Sequence, residues 1–235
     1  MNNKRKKSSI YQAAKKKNKS LDVIHLTLTM DDNTVYLNEE KTSWVLIRKL
    51  SCGEEGKGGG MSLDEFEDLW KFKPKEKLKI KIAGKLIECP RFSKSYLNSY
   101  TFTGLNHEVE HNIPNRIQQL LDWSKVNYNN IYLNQALVNW YEADGYIGHH
   151  SDDTKQLLPD SNVFSFSFGP AIRRFVLKPK KGTKHNNKEF QLKLEHNCLV
   201  IMGGKCQETH THSVPKANKS DITERRLNVT FRSFK

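Results

Sequence analysis

The chain is built largely from short runs in which apolar and polar residues alternate. Residues 226–232 are the clearest case. Leu227, Val229 and Phe231 fall on one side of the alternation, and Arg226, Asn228, Thr230 and Arg232 on the other. Successive side chains of a strand point to opposite faces, so this pattern predicts a strand with one apolar and one polar face. Residues 163–168 do the same, with Phe164, Phe166 and Phe168 opposed to Ser165 and Ser167. Shorter runs at 23–28, 34–37, 44–47, 78–82, 136–138, 175–177, 190–194 and 198–202 also read as strands. Two segments carry a helical period instead. Ser62-Leu63-Asp64-Glu65 has the form of a capping box, and Phe66, Leu69 and Trp70 continue it as an apolar stripe. Ile117, Leu120, Leu121 and Trp123 follow Ile113-Pro114 as an amphipathic helix packed outside a sheet. The glycine-rich stretch 51–60 is a loop, and no Gly-Lys-Ser/Thr follows it, which excludes a phosphate-binding loop. Many short strands separated by Gly, Pro and Asn turns predict a mainly β fold with flanking helices, a sandwich or jelly roll.

With 235 residues, 36% of them hydrophobic and 10% aromatic, the chain can bury a substantial core as one domain with a small extension. Its net charge of +13 favours a polyanionic partner, either nucleic acid or an anionic membrane surface. No apolar run is long enough to span a membrane or to serve as a secretory signal. Cys52, Cys89, Cys198 and Cys206 lack C-x-x-C spacing and read as free thiols of a reducing compartment. Residues 1–20, with Lys4-Arg5-Lys6-Lys7, Lys15-Lys16-Lys17 and Lys19, form a self-repelling basic tail expected to be disordered. It suits a nuclear-localisation signal, a nucleic-acid arm or plain solvating charge. Residues 21–42 read as an N-terminal extension and 43–235 as the main domain. Arg173-Arg174 and the lysines of 178–188 could grip a phosphate backbone, against a reading in which they are simply solvated.

The chemistry concentrates in residues 139–153, NWYEADGYIGHHSDD. On extended backbone His150 and Asp152 share a face, so one imidazole and one carboxylate can aim at one point. His210 or His212 could supply a third ligand. Two histidines and a carboxylate on one face of a metal form the facial triad of non-haem Fe(II) oxygenases. H-x-D alone is a weak signal, and a solvated turn histidine explains His150 equally well. Cys206 lies near this site in sequence, and an ordinary loop thiol is its plainer reading. The polar face of 226–232 could be a solvated surface, but Arg226 and Arg232 flanking Asn228 and Thr230 would also make a carboxylate pocket. A metal triad followed by such a pocket suits 2-oxoglutarate, which chelates at one end and is a carboxylate at the other.

In their order, N-x-Y, H-x-D-D, H-S-V-P and R-x-N-x-T-F-R resemble the AlkB family of Fe(II)- and 2-oxoglutarate-dependent nucleic-acid demethylases. The similarity extends upstream through Pro90-Arg91 and Tyr100-Thr101-Phe102-Thr103-Gly104, covers roughly 43–235, and is greatest to the branch that repairs alkylated double-stranded DNA. The resemblance implies a double-stranded β-helix (jelly roll) that uses Fe(II), 2-oxoglutarate and O2. It implies His150, Asp152 and His212 as iron ligands, so that His210 drops out. It implies Asn139, Tyr141, Arg226, Asn228, Thr230 and Arg232 as the 2-oxoglutarate pocket, with the two arginines on the carboxylates. Arg91, Tyr100, Thr101, Phe102, Asp153, Gly84 and Lys85 would lie near the target base, Asp153 orienting the base or bracing an arginine.

The reaction so implied is oxidative demethylation of bases such as 1-methyladenine or 3-methylcytosine in DNA. RNA or a protein side chain is the alternative substrate. The partner would be single- or double-stranded alkylated DNA, with no membrane and a monomeric enzyme, nuclear in a eukaryote and otherwise cytoplasmic. A hydrolytic zinc site lacks an H-E-x-x-H-like base and leaves the arginine strand unexplained. A non-catalytic module leaves the intact triad unexplained. One departure stands out. The turn that carries an aromatic wedge in the double-strand branch has Ala83 here. A wedge helps offset unstacking, which costs on the order of a few kcal/mol per step. Single-stranded or mismatched DNA is therefore the expected preference, unless Leu86 or Tyr96 serves as the wedge.

Overall fold

The computed structural model describes residues 22–53, 58–82, 84–102, 105–182 and 188–235. The basic tail and Ala83 lie outside the described residues. The chain begins with β1 (Asp22–Leu26), β2 (Asn33–Tyr36), β3 (Ser43–Lys49) and helix α1 (Leu63–Trp70). A hairpin of β4 (Lys79–Ile82) and β5 (Lys85–Glu88) follows, then β6 (Phe92–Tyr96), the pair β7 (Tyr100–Phe102) and β8 (Leu105–His107), and β9 (Val109–Glu110). After helix α2 (Asn115–Asn127) come β10 (Gln135–Tyr141), β11 (Ile147–His150), β12 (Val163–Phe168), β13 (Arg173–Pro179), β14 (Lys188–Leu194) and β15 (Cys198–Gly204). A short turn of helix, α3 (Cys206–Thr209), leads into β16 (His210–Val214), and β17 (Arg226–Arg232) is last.

Two sheets make the jelly roll. The larger runs β2-β3-β15-β12-β17-β10-β6-β9 and the smaller β1-β14-β13-β16-β11. One face of the larger sheet packs on the helices. There Phe164, Phe166 and Phe168 meet Leu227, Val229, Phe231, Trp140 and the helical Phe66, Leu69, Ile117 and Leu120. Each such side chain contributes about 1.5–3 kcal/mol by leaving water. The other face looks into the sandwich, where Val45, Ile47, Val200 and Met202 pack against Phe175, Leu177, Phe190 and Leu192 of the smaller sheet.

Helix α1 starts as its sequence predicts. Ser62 Oγ accepts from Glu65 N at 3.1 Å, and Glu65 Oε2 accepts from Ser62 N at 2.7 Å. Helix α2 has no side-chain cap; its Arg116 instead pairs with Glu65 at 3.0 Å, joining the starts of the two helices.

Burial is where β17 departs from its simplest reading. Both faces are covered: Arg226, Asn228, Thr230 and Arg232 are all buried, because their face is the floor of the sandwich interior and not a solvated surface. Residues 22–42 are likewise woven into the sheets, β1 parallel to β14 and β2 antiparallel to β3. Among the described residues no helix is long and apolar enough to cross a membrane. All four cysteines are free.

Candidate active site

The tight turn before β11 aims its histidines. Gly145 N donates to Glu142 O at 2.8 Å, and a Cβ on Gly145 would lie 2.9 Å from Cβ of Tyr141, so only glycine fits. Alternation along β11 then turns His149 outward, near Thr211 and Ser213, and His150 inward. β11 pairs with β16 so that His150 stands directly opposite His212, with ring centroids 4.2 Å apart. Asp152 follows on the same side. One donor atom from each of His150, Asp152 and His212 lies within 4.8 Å of the others. His210 is buried with Nδ1 2.8 Å from Thr209 Oγ1 and takes no part in this cluster.

The protonation states suit metal binding, which needs neutral imidazoles and an ionised carboxylate. Burial, followed by the neighbouring His150, pushes His212 down to about 3. Burial also lowers His150, and its Nδ1–H donates to Gly148 O at 2.9 Å, leaving Nε2 as the ligand atom. For Asp152, burial alone would favour the neutral acid, but the Arg232 guanidinium outweighs it and holds the carboxyl well below the usual range. Arg232 Nε and Nη2 each donate to an Asp152 oxygen at 3.0 Å. Tyr100 Oη donates to Asp152 Oδ1 at 3.3 Å, and Asp152 N–H donates to Gln207 Oε1 at 2.9 Å.

The triad opens onto a cleft between the two sheets. Asn139, Tyr141, Arg226, Asn228, Thr230 and Arg232 all line it, together with Arg91 and Tyr100. Register explains this: Asn139 faces Asn228, Tyr141 faces Arg226, and Leu137 faces Thr230 across β10 and β17. Asn139 Oδ1 accepts from Ser93 Oγ at 2.7 Å and from Arg91 Nε at 3.2 Å. Thr230 Oγ1 donates to Asn228 Oδ1 at 3.0 Å, and Asn228 Nδ2 donates to Ser165 Oγ at 3.0 Å. Arg226 is different. It is 3% exposed, lies 4.1 Å over the Tyr141 ring, donates to Ser167 Oγ at 3.1 Å and has the Tyr141 side chain as a further hydrogen-bonding neighbour. Its Nε has no partner, and among the described residues no carboxylate pairs with it. A buried guanidinium without a counter-charge calls for an anionic ligand. The donor set and this orphaned arginine both fit Fe(II) with 2-oxoglutarate.

Of the remaining residues named from the sequence, Gly84, Lys85, Thr101 and Asp153 are not among the described lining residues of the cleft. Asp153 is exposed and accepts from Lys155 N and Gln156 Nε2; it braces no arginine, because Asp152 holds Arg232 instead. Thr101 is tied through its backbone to the Gln156 side chain. Phe102 lies in β7, and Gly84 and Lys85 sit on the β4–β5 hairpin. Tyr100 lines the cleft but is 4% exposed, stacked on Phe234 and beneath the Arg232 guanidinium. Tyr96 is fully buried and cannot act as a wedge, whereas Leu86 is 67% exposed.

Arg173 is not a phosphate grip. Arg173 is 1% exposed, and its Nη atoms donate to Gly145 O and Pro215 O at 2.8 Å each, clipping together the loops that carry the two histidine strands. Arg174 is paired with Asp221. Cys206 is buried, and desolvation pushes its thiol up to about 12, so it is inert at neutral pH. Sequence reasoning missed Ser165, Ser167, Gln135 and Gln207. The parity of 163–168 and of 135–141 could have found the first three; nothing flags Gln207.

Residues 89–232 match the family described as the 2OG-Fe(II) oxygenase superfamily. Among curated proteins, the chain is similar to the DNA oxidative demethylase ALKBH2 of Arabidopsis thaliana, 37% identical over 42% of this chain and 37% of that protein. It is also similar to the protein of the same name from Homo sapiens, 31% identical over 66% of this chain and 61% of that protein. The match thus spans less than two thirds of the length of these relatives. In fold, the chain is similar to the solved structure of OsALKBH1, with a TM-score of 0.51 and 16% identity over 80% of this chain and 96% of that one. With the family match covering well over half of its length, the chain belongs to the 2OG-Fe(II) oxygenase superfamily, whose cofactors are Fe(II), 2-oxoglutarate and O2.

Proposed function

We propose that the protein is an AlkB-type oxidative demethylase that removes methyl groups from ring nitrogens of bases in DNA. The observation that carries this reading is the shared cleft: His150, Asp152 and His212 converge in it, and the unpaired Arg226 closes its other end. The relatives' names and the net charge of +13 favour DNA as the substrate. His150, Asp152 and His212 would hold Fe(II). Arg226, with Tyr141 beside it, would take the distal carboxylate of 2-oxoglutarate, and Asn139 would orient the chelating end. When bound, Fe(II) with O2 and 2-oxoglutarate supplies an oxidation that hydroxylates the N-methyl carbon and yields succinate, carbon dioxide, formaldehyde and the free base.

The chain's own contribution is positional. Arg232 keeps Asp152 ionised and oriented. The neutral imidazoles offer lone pairs. Leu137, Phe175 and Val214 keep the wall of the cleft apolar. Base chemistry requires a nucleotide turned out of its stack, and the cleft that holds the triad is where such a base would be received.

The first test is anaerobic addition of Fe(II) and 2-oxoglutarate, which should give a weak visible charge-transfer band. The second is formaldehyde release from oligonucleotides carrying 1-methyladenine or 3-methylcytosine, run as DNA and as RNA alongside a methylated peptide panel. The band with turnover on DNA supports the reading. Turnover confined to RNA or peptide replaces the substrate, and no band overturns the site.

A further inference from the structure

Gln135 belongs to none of the groups assigned above, yet it is 0% exposed and sits against them. On β10 it is the register partner of Arg232 on β17, so both side chains face the cleft side of the sheet. Arg232 Nη1 donates to Gln135 Oε1 at 3.0 Å. Gln135 Nε2 donates to Ser95 Oγ at 3.1 Å, and Ser95 Oγ donates to Asn98 O at 2.8 Å. At its other edge the same guanidinium grips both oxygens of Asp152. A buried line of hydrogen bonds therefore runs from the Asn98 turn, just before β7, to the carboxylate of the triad.

We propose that Gln135 is a positioning residue for the metal centre, fixing the plane of the Arg232 guanidinium and through it the orientation of Asp152 toward His150 and His212. This rests on the reading of those three residues as metal ligands. A guanidinium held only by a carboxylate can tilt about that pair. The third contact, at Nη1, removes this freedom, and the Ser95 link keeps the amide the right way round. Three of the five N–H groups of Arg232 are thus engaged within the protein, which leaves Arg226, without a counter-charge, as the cation better placed for the distal carboxylate of 2-oxoglutarate. Partners that orient a metal ligand typically change metal affinity by about 10–100-fold when removed.

The test uses Co(II) alone, without nucleic acid or 2-oxoglutarate, titrated into the full chain and followed by its visible absorption. Gln135→Met removes the acceptor at nearly constant volume. Gln135→Glu keeps an oxygen in its place. Ser95→Ala cuts only the link to the Asn98 turn. Gln135→Met should weaken Co(II) binding about tenfold or more while circular dichroism shows a folded protein. Gln135→Glu should stay within about threefold of the parent, and Ser95→Ala should lie between the two. Parent-like affinity in Gln135→Met, or a Gln135→Glu as weak as Gln135→Met, overturns the proposal. Should Gln135→Met fail to fold, Ser95→Ala decides it: parent affinity there overturns it and weaker binding supports it. A parent that binds no Co(II) refutes the metal site itself and this proposal with it; a parent that binds while Gln135→Met binds equally well refutes only the proposal.

Discussion

Replacing Arg226 by methionine should have opposite effects on the protein with and without its co-substrate. In the structure the guanidinium is 3% exposed, set against Tyr141 and bonded to Ser167, with Nε unmatched. Desolvating a cation costs several kcal/mol. The contact with Tyr141 returns about 0.5–2 kcal/mol and the hydrogen bond to Ser167 about 1 kcal/mol. Methionine, which needs neither, should therefore leave the ligand-free protein unharmed or stabilise it by about 1–2 kcal/mol, raising its melting temperature by roughly 2–6 °C for a chain of this size. With 2-oxoglutarate the sign reverses. Two charge-assisted hydrogen bonds to a carboxylate contribute about 1.5–3 kcal/mol each. At about 1.4 kcal/mol per factor of ten, their loss should raise KM for 2-oxoglutarate by roughly 100–10,000-fold, with KM for DNA little changed. Scanning calorimetry with and without 2-oxoglutarate and Mn(II), together with steady-state kinetics, reads both halves. A variant that melts well below the parent without ligand, yet keeps its 2-oxoglutarate dependence, would refute the assignment.

His150→Ala, Asp152→Ala and His212→Ala should each abolish turnover and Fe(II) binding, while His149→Ala and His210→Ala keep most activity; a dead His210→Ala beside an active His212→Ala reverses the ligand choice. Asp152→Ala should also lower stability by about 3–5 kcal/mol, because it leaves Arg232 buried and uncompensated, which urea unfolding measures. Arg173→Met should destabilise the fold yet leave the salt dependence of DNA affinity unchanged; a slope that falls by about one would mean Arg173 does touch phosphate. Of the two wedge candidates Leu86 and Tyr96, only Leu86 on β5 is exposed, so Leu86→Ala should lower the rate on a methylated duplex and spare the single-stranded oligonucleotide; equal losses on both would discard it.

Periodicity made β17 legible residue by residue, because a strand sorts its side chains by parity whatever surrounds it. Periodicity alone does not say what covers each face. Arg226, Asn228, Thr230 and Arg232 would look the same on a solvated strand, and only the packing of the smaller sheet over them makes a cleft. The choice between His210 and His212 was of the same kind. They share a parity, so only the resemblance separated them, and the register of β11 against β16 supplies the physical reason by setting His212 opposite His150. Arg173 misled for a physical reason. A dibasic pair in a lysine-rich region reads as surface charge, but inward parity with Phe175 sends Arg173 to two loop carbonyls. Gln207 reaches Asp152 from α3, a four-residue turn with no pattern of its own.

The weaving of residues 22–36 into both sheets bears on how the molecule stays soluble. β1 lies along β14 at the rim of the smaller sheet, and β2 lies along β3 at the rim of the larger. Without them, β14 and β3 would each present a row of unpaired N–H and C=O groups, the template on which strands of separate molecules join. β1 itself is short and mostly exposed, with Asp22 and His25 on it, a poor docking rail for another chain. A recombinant fragment trimmed to residues 43–235 would keep His150, Asp152 and His212 and lose both guards while retaining β3 and β14. Its failure would be precipitation, and it would say nothing about the chemistry.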